Sequence, residues 1–369
     1  MREQEYDVLL HGCNPTKPLS LFRAPRHSRS GDDAFSQAFA DAMKRYFTPV
    51  SLSDLCPEWH DALLGTFPAT LIPFRHGIYN RTVRYMMIRN AIRRLVPHGV
   101  VCVRDELWVG DATAVFEREI ARRNAYIYNC IDNWFAVPWH AARVKSRCAV
   151  AEAIIVPTQS LKDACQDLYP HKSVFCIEEP VDCSRFDNAA SEKADVPTLV
   201  WAGSPHSQSE LLHMRDILAA VFRVRPFELT VLSGQRKPNL ALTVPWKWVP
   251  FSPANEQEFI PRAWAGFCWL GDDAYASAKG CYKTKTYMAA GTAPVVTDVG
   301  HARHVLTAAE AGVLIQNNDI RQWVDSLVHL LSSRDAAMRE GSKASVFARE
   351  YFAYDRIASH WAHALQSVR

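Results

Sequence analysis

Short apolar runs alternate with amphipathic stretches along the chain, and most of these runs are continuous rather than alternating. Continuous apolar runs of strand length are typical of strands buried on both faces of a parallel sheet covered by helices. The repeated change from strand pattern to helix pattern predicts doubly wound α/β units. The predicted strands are Tyr6–Leu10, Thr70–Pro73, Val100–Val103, Tyr126–Ile131, Ala153–Pro157, Val174–Ile177, Thr198–Ala202, Glu228–Leu232, Lys247–Phe251, Gly266–Leu270, Ala293–Thr297 and Val313–Gln316.

A polar segment rich in turn formers, Val181–Pro197, separates two complete series of strands and helices. The chain has 369 residues, whereas a single hydrophobic core stops growing near ~250–300 residues. We therefore expect two Rossmann-like doubly wound domains that face a cleft. The pattern assigns residues 1–185 to the first domain, 186–345 to the second, and 346–369 to a helix that packs back across the boundary.

Composition narrows the class of protein. Hydrophobic residues make up 48% and charged residues 22% of the chain, which excludes a disordered, collagenous or coiled-coil protein. The net charge of +3 argues against a dedicated nucleic-acid binder, so no nucleic-acid partner is expected. The ten cysteines form no C-x-x-C pair, which predicts reduced thiols and no structural zinc site. Because no signal peptide and no run of about 20 apolar residues is evident, we expect a cytoplasmic protein.

Basic residues are concentrated in one helix-patterned segment, Arg75–Leu95, which carries six arginines, no acidic residue and an apolar side. Such a helix can make a peripheral contact with the inner face of an anionic membrane, or hold a phosphorylated acceptor. The same pattern also fits a solvated helix whose apolar side packs in the core. A second basic segment, Arg23–Arg29, is either a clamp for an anionic acceptor or a surface loop.

The segment Ala278–Asp298 predicts a loop, a short helix and a buried strand, and three lysines crowd the start of that helix. Lys279, Lys283 and Lys285 have no carboxylate among them in this segment. Cations are disfavoured at a helix N-terminus, and like charges four residues apart repel by about 0.2–0.5 kcal/mol. A bound diphosphate would reverse the sign of both effects. The pattern therefore indicates either an anion site or three unrelated lysines on a solvated face.

Polar residues also follow two predicted strands, at the carboxyl ends where doubly wound sheets bind ligands. Gly203 and Ser204 follow Thr198–Ala202, and a glycine there lets the backbone approach a phosphate closely. The S-Q-S-E run that ends at Glu210 has the spacing of a helix capping box. In the first half, Asp132 comes at the end of the fourth predicted strand and is either a general base or a turn residue. The absence of G-x-G-x-x-G and P-loop motifs disfavours nicotinamide and P-loop sites.

Four sequence blocks carry a resemblance to a known family: AEAIIVPTQSLKDAC, SVFCIEEPVDCSRF, TLVWAGSPHS and CYKTKTYMAAGTAPVVTD. In this order they resemble the group 1 (family 4-type) glycosyltransferases, which have the GT-B fold. The resemblance covers roughly Val100 to the C-terminus, and its most specific part is Tyr287–Val296. Many members carry two glutamates that contact the donor, whereas this chain has Ala278 and Thr286 at those positions. It looks closer to a subgroup with a lysine-rich donor motif in place of the Glu pair.

The resemblance implies a site for a nucleotide-activated sugar in the second domain. Lys279 and Lys283 would neutralise the diphosphate, and Asp132 in the first domain would deprotonate or orient the acceptor. The other donor contacts that the resemblance implies are Gly203, Ser204, Ser233, Gly234, Val249, Phe251, Gly280 and Thr286. This scheme requires no metal, and no cofactor besides the nucleotide sugar that is the substrate.

The resemblance further implies transfer of a hexosyl-type sugar from a UDP- or GDP-linked donor, with retention of configuration. The acceptor would be a glycan, a lipid-linked sugar or a polysaccharide, and the activity would serve polysaccharide biosynthesis. The missing glutamates leave open a catalytically silent GT-B module that binds a glycan or a nucleotide. A nucleotide-sugar epimerase on the same two-domain fold is a further alternative.

Overall fold

The computed structural model describes residues 18–23, 37–48, 50–54, 80–104, 107, 111–187, 193–316 and 319–368. The predicted strands Tyr6–Leu10 and Thr70–Pro73, and all of the Arg23–Arg29 loop except its first residue, lie outside these ranges. The chain divides into two compact units. One contains the described residues up to Glu178 together with those from Ile357 onward, and the other spans Glu179–Arg356.

The first unit is built on a parallel sheet. Its described strands are β1 (Leu19–Arg23), β2 (Val50–Asp54), β3 (Val100–Arg104), β4 (Ala125–Asn129), β5 (Ala153–Val156) and β6 (Ser173–Cys176). They lie in the order β2-β1-β3-β4-β5-β6, and every neighbouring pair is parallel. Strands β3 to β6 lie within two residues of the predicted positions. Strands β1 and β2 were missed, because their sequences LSLFR and VSLSD mix serine with apolar residues instead of forming a continuous apolar run.

Five helices accompany these strands in the described residues before Glu178. They are α1 (Gln37–Met43), α2 (Asn80–Arg93), α3 (Val115–Ala121), α4 (Pro138–Val150) and α5 (Gln159–Leu168). An interior ion pair joins α3 to α4: Arg147 Nε lies 3.1 Å from Glu117 Oε1, and both side chains are fully buried. Arg147 also donates a hydrogen bond of 2.7 Å to the Asp111 carbonyl, which fixes α4 against the segment that precedes α3.

Helix α2 contains the described part of the basic segment predicted at 75–95. Its Ile88 and Ile92 side chains are buried, whereas Met86 is 64% exposed. Arg89 Nη1 lies 3.6 Å from Glu119 Oε2 of α3. Part of the apolar side therefore packs within the unit, as one of the sequence-based alternatives expects. Among the helices of the described ranges, none combines the length and the hydropathy that a bilayer span requires.

The second unit also contains a parallel sheet. Its strands are β7 (Thr198–Ala202), β8 (Glu228–Leu232), β9 (Trp246–Val249), β10 (Ala265–Cys268), β11 (Ala293–Thr297) and β12 (Val313–Ile315). They lie in the order β12-β11-β10-β7-β8-β9. Read from β9, this is the order 3-2-1-4-5-6 of a doubly wound nucleotide-binding sheet, whose direction of winding reverses between β7 and β10.

Helices cover both faces of this second sheet. They are α6 (Ser209–His213), α7 (Arg215–Val224), α8 (Pro253–Arg262), α9 (Ala274–Ser277), α10 (Tyr282–Ala289), α11 (Gly300–Ala309), α12 (Ile320–Ser332) and α13 (Arg334–Tyr351). Successive residues of β7 point to opposite apolar clusters: Val200 and Ala202 join one, whereas Leu199 and Trp201 join the other. Because side chains alternate across a strand, burial of both faces requires the continuous apolar runs seen in the sequence.

The last helix, α14 (Tyr354–Gln366), belongs to the first unit apart from its opening residues. There the Trp361 ring packs edge-to-face on Phe39 of α1, with ring centroids 5.5 Å apart and planes at 74°. The sequence places the boundary at residue 345, whereas the structure divides the chain between Arg356 and Ile357. The difference arises because α13 continues without a break to Tyr351 in the second unit.

Candidate functional site

The carboxyl edge of the second sheet opens where β7 and β10 part. These two strands pair only through Leu199 with Ala265 and Val200 with Gly266. Beyond this point the Tyr287 side chain of α10 lies between them. Its hydroxyl accepts a hydrogen bond of 2.9 Å from Ala202 N and donates one of 3.4 Å to the Phe267 carbonyl. Tyr287 thereby satisfies the backbone groups of the diverging strands and fixes α10 at this edge.

The loop after β7 contains the predicted donor contacts Gly203 and Ser204. The Trp201 ring lies against Gly203 so closely that a Cβ at this position would sit 2.6 Å from the ring. Gly203 N donates to the Leu232 carbonyl at 3.0 Å, which ties the loop to the end of β8. The Ser204 and Ser207 hydroxyls lie 3.2 Å apart. Packing against Trp201 therefore requires a glycine at 203, in addition to any backbone approach to a ligand.

The loops after β8 and β9 are held to the loop after β7. Gln208 Nε2 donates to Ser233 Oγ at 3.1 Å, and Phe251 N donates to the Gly234 carbonyl at 3.1 Å. A Cβ on Gly234, whose φ is +33°, would lie 2.9 Å from the Pro205 ring. Val249 ends β9 beside Ser233, whose N–H donates to its carbonyl at 3.2 Å. The structure thus brings the predicted contacts in these three loops together at one edge of the sheet.

Lys283 has a carboxylate partner that the local sequence pattern did not reveal. Its Nζ forms an ion pair with Glu210 Oε2 of α6, and the same oxygen accepts a hydrogen bond of 3.2 Å from Trp201 Nε1. Lys283 Nζ also lies 4.9 Å from the centroid of the Trp201 ring. The absence of a carboxylate from the segment therefore does not leave Lys283 without a counter-charge, and its role toward a diphosphate stays a prediction. Its counter-charge comes from a residue 73 positions earlier in the chain.

Glu210 is used differently from the predicted capping box. Its carboxylate bonds to Trp201 and Lys283, while α6 begins after Gln208 without a side-chain cap. Burial tends to lower the pKa of Lys283. The neighbouring Cys268, once it is ionised, and the Glu210 carboxylate with its hydrogen bond outweigh burial and raise the pKa above the ordinary lysine value. Lys283 is therefore a charged ammonium at neutral pH.

The other two lysines of the segment lie in different surroundings. Lys279 Nζ is 5.1 Å from the centroid of the Tyr275 ring, and its side chain is half-buried. Lys285 is fully buried, and its Nζ lies 4.5 Å from the centroid of the Phe352 ring. Lys285 therefore lies in different surroundings from Lys283, and the anion-site alternative stays a prediction. Gly280 follows Lys279 in the loop, and the first turn of α10 contains no acidic residue.

The two positions of the family's glutamate pair are both buried here. Ala278 is 1% exposed and Thr286 is 3% exposed. The Thr286 hydroxyl donates a hydrogen bond of 3.1 Å to the Tyr282 carbonyl one turn earlier in α10. The donor contact assigned to Thr286 stays a prediction, and its oxygen can serve a ligand only as an acceptor while this bond holds.

In the first unit, Asp132 follows the end of β4, as the sequence predicts. Its carbonyl accepts a hydrogen bond of 2.8 Å from Trp134 N at the start of a short 3₁₀ turn. The Trp134 ring lies 4.4 Å from the His140 ring, and Trp139 is 74% exposed. Sequence reasoning missed this aromatic group, although the W-F-A-V-P-W-H run a few residues after a strand end was a visible signal. The role of Asp132 stays a prediction.

The described residues contain no cluster of side chains suited to bind a metal ion. Among them, no three or more His, Cys, Asp and Glu side chains come together in a way that could hold a metal ion. Asp273, one of two adjacent aspartates, instead caps α9 by accepting bonds from Tyr275 N and Ala276 N at 2.8 and 2.9 Å. The metal-independent scheme stays a prediction.

Comparison with known proteins defines the fold class. No family model and no curated protein matches this sequence. Solved structures do match it over most of its length, and they are glycosyltransferases built from two Rossmann-like units, the GT-B fold. The prediction of two parallel-sheet α/β domains of this class is therefore confirmed.

Three of these structures show the extent of the likeness. Sucrose-phosphate synthase from Thermosynechococcus elongatus has a TM-score of 0.67 at 11% identity, with 95% of this chain and 98% of that chain covered. The UDP-forming α,α-trehalose-phosphate synthase from Burkholderia vietnamiensis has a TM-score of 0.63 at 13% identity, with 97% and 100% covered. TarM from S. aureus has a TM-score of 0.60 at 11% identity and 76% coverage of this chain, which spans only 58% of TarM.

Proposed function

We propose that this protein is a glycosyltransferase that moves a sugar from a nucleotide-sugar donor to a glycan, lipid-linked or polysaccharide acceptor. The observation that carries the proposal is the edge formed by the loops after β7, β8 and β9, beside the charged Lys283. A fixed cation at the point where a doubly wound sheet reverses its winding suits a nucleoside diphosphate.

In this proposal, catalysis comes from positioning and from neutralising charge on the departing diphosphate. Lys279 and Lys283 supply the positive charge, and the backbone at Gly203, Ser204 and Gly280 supplies N–H donors. The nucleobase packs against the loops after β8 and β9, and Thr286 is kept as a donor contact. The base-side residues are Ser233, Gly234, Val249 and Phe251.

The similar structures support a UDP-linked donor and retention of configuration. TarM was solved in complex with UDP, fondaparinux and α-GlcNAc-glycerol. The trehalose-phosphate synthase is described as UDP-forming, and a further trehalose-6-phosphate synthase structure concerns glycosyl transfer with retention. We propose UDP as the first nucleotide to test and keep GDP as the second.

We assign acceptor recognition to the first unit. Asp132 is half-buried at the carboxyl end of β4, where a carboxylate can accept a proton from a sugar hydroxyl or orient it. The basic helix α2 could add a peripheral contact with anionic lipid, since Tyr85 and Met86 are exposed beside its arginines. Sedimentation with vesicles of anionic lipid tests this contact, and no co-sedimentation at low salt would exclude it.

A second candidate is a catalytically silent module that binds a nucleotide or glycan. This candidate is favoured by Ala278 and Thr286, which are both buried. Many members of the family that the sequence resembles carry donor-binding glutamates at these two positions, and this chain has no acidic group at either. The silent module and the transferase share the same binding edge and differ only in turnover.

A thermal-shift screen with UDP, GDP, ADP and CMP tests the binding edge. A ligand that binds only the folded state at 100 times its Kd stabilises that state by about 2.7 kcal/mol, which raises the Tm. A panel of nucleotide sugars then distinguishes the functions: transfer or slow donor hydrolysis supports the transferase, and binding without turnover supports the silent module. An interconverted donor would indicate an epimerase. If no nucleotide shifts the Tm, the proposal is wrong.

A further inference from the structure

Glu210 places a carboxylate in the interior at the very edge that the proposed function uses. The residue is only 6% exposed. Burying a carboxylate costs several kcal/mol unless partners compensate it. Here one oxygen, Oε2, receives both the Trp201 indole N–H and the Lys283 amine. The carboxylate is therefore held by two donors from two different elements, β7 and α10.

Trp201 gives this arrangement its rigidity. The indole is completely buried in β7, and its ring lies against Gly203. The indole N–H holds Glu210, the ion-pair partner of Lys283, at 3.2 Å, and the indole ring itself lies 4.9 Å from Lys283 Nζ. Trp201 therefore restrains the amine both through Glu210 and directly. The charge consequently sits next to the loop that follows β7.

We propose that Glu210 is a positioning residue of the donor site, which holds the Lys283 ammonium beside Gly203 so that the diphosphate of a nucleotide meets a fixed positive charge. The inference rests on the proposed function, because it concerns the same site. Glu210 does not touch the nucleotide in this arrangement. It acts through Lys283, whose long flexible side chain would otherwise lose conformational freedom each time a ligand binds.

The surroundings of Lys283 predict what happens without Glu210. The titratable groups that act on the amine include Glu210 from α6, Cys268 from β10 and Cys281, the residue before α10. Cys268 in turn is close to Lys279 and Tyr287. Burial raises the pKa of Cys268 to about 11 and the pKa of Tyr287 well above its ordinary value, so both are neutral at pH 9. With Glu210 neutralised, burial dominates, and the pKa of Lys283 falls below that of an ordinary lysine.

Affinity for UDP as a function of pH tests the proposal. Calorimetric titration of the full chain from pH 7 to pH 9 gives Kd for the wild type, Glu210→Gln, and Glu210→Gln combined with Lys283→Arg. Dividing the affinity of each variant by the affinity of the wild type at the same pH removes the effect of ligand titration, which is the same for all the proteins. We expect the relative affinity of Glu210→Gln to fall about fivefold or more over this range as Lys283 loses its proton. Arginine keeps its charge, so the double variant should show a flat profile.

Glu256→Gln is the matched control. Glu256 is also a buried carboxylate of the second unit, and its Oε2 lies 3.3 Å from Arg185 Nη2 rather than beside Lys283. Glu256→Gln should follow the wild-type profile. If so, the fall seen in Glu210→Gln comes from losing the partner of Lys283 and not from the loss of a buried carboxylate in general. If Glu210→Gln does not fold by circular dichroism, Glu210→Asp replaces it, and its shorter reach should give a smaller fall of the same sign.

The outcomes separate the two proposals. If the wild type binds none of UDP, GDP, ADP and CMP, the proposed function fails. If the wild type binds UDP but the relative profile of the Glu210 variant stays flat, or Lys283→Arg fails to flatten a falling profile, the positioning role is overturned while the proposed function stands.

Discussion

Two aromatic side chains at the opening between β7 and β10 each occupy the space that a nearby glycine leaves. The Trp201 ring fills the place of a side chain at Gly203, and the Tyr287 ring lies 2.8 Å from where a Cβ on Gly266 would be. Interiors pack at the density of organic crystals, so neither ring can move aside without disturbing its neighbours. The geometry of the candidate site thus depends on residues that need not touch a ligand.

Gly203→Ala should disturb both stability and nucleotide binding. The added Cβ would lie 2.6 Å from the Trp201 ring, and overpacking of this kind costs about 1–3 kcal/mol. Urea unfolding and the Tm shift with UDP measure the two effects. Gly271→Ala is the control, because its Cβ would meet the end of the Asp273 side chain at 3.3 Å and the Trp269 ring at an ordinary contact distance of 4.0 Å. Equal stability of the two variants would contradict the close packing at Gly203.

Tyr287→Phe should reduce stability although it removes a single oxygen. The Ala202 N–H and the Phe267 carbonyl would lose their partner in the interior, and each such buried group costs about 1–3 kcal/mol. Tyr351→Phe serves as control, since this ring is 40% exposed and stacked on Phe347 at 4.0 Å, and should change stability by about 0.5 kcal/mol or less. Comparable losses in the two variants, measured by urea unfolding, would contradict the role given to the hydroxyl.

At the scale of elements, α10 shows why a local rule failed. An eight-residue helix is not stable alone, so its position depends on tertiary contacts rather than on its own sequence. Tyr287 ties it to two strands, and Lys283 is compensated by Glu210 from α6. The rule that like charges repel within a helix considers only the helix, whereas the partner here is distant in sequence.

The same reasoning explains how much of the fold the sequence predicts. Strands β7, β8 and β11 have the predicted ends. β7 and β11 are nearly continuous apolar runs, and β8, ELTVL, lies between Pro226 and the Ser233-Gly234 turn. Strands β1 and β2 escape that rule because serine interrupts them, and their Ser20 and Ser51 hydroxyls instead bond across the sheet at 3.0 Å. The loops of the candidate site were predictable from strand ends. The partner of Lys283 was not, because a capping pattern assigned Glu210 a local role.

The buried pair between α3 and α4 permits a prediction about elements. Arg147→Met should cost about 3–5 kcal/mol, because it leaves the Glu117 carboxylate buried without its partner. Burial raises the pKa of Glu117, so protonation below that pKa removes the charge and the penalty of the variant should shrink as the pH falls from 7 to 5. Urea unfolding at both pH values measures this.

The control for this pair is Arg321→Met. Arg321 is 94% exposed, and its Nε lies 3.9 Å from Asp325 Oδ2, so the change should cost less than about 1 kcal/mol at either pH. A penalty for Arg147→Met that is the same at pH 5 and pH 7 would show that Glu117 does not carry the cost.

At the scale of the whole molecule, the chain leaves the first unit after Glu178 and returns to it at Ile357. The segment 193–197 leads into β7, and Lys193 at its start is only 7% exposed. Its Nζ donates to the carbonyls of Pro261, Ala263 and Gly291, each at 2.8 Å. One buried side chain therefore ties the segment before β7 to the end of α8 and to the turn after α10.

Lys193→Met should destabilise the second unit by an amount that grows with pH. Burial lowers the pKa of Lys193 to about 7, whereas an unfolded lysine titrates near ~10.4. Between these values the unfolded chain binds more protons, so this group makes the wild type more stable as the pH rises, and the methionine variant lacks that gain. The measurement is the difference in Tm between the two proteins at pH 7, 8 and 9, with Lys343→Met as control because Lys343 is 58% exposed. A constant difference across these pH values would show instead that the three carbonyls keep Lys193 charged in the folded protein.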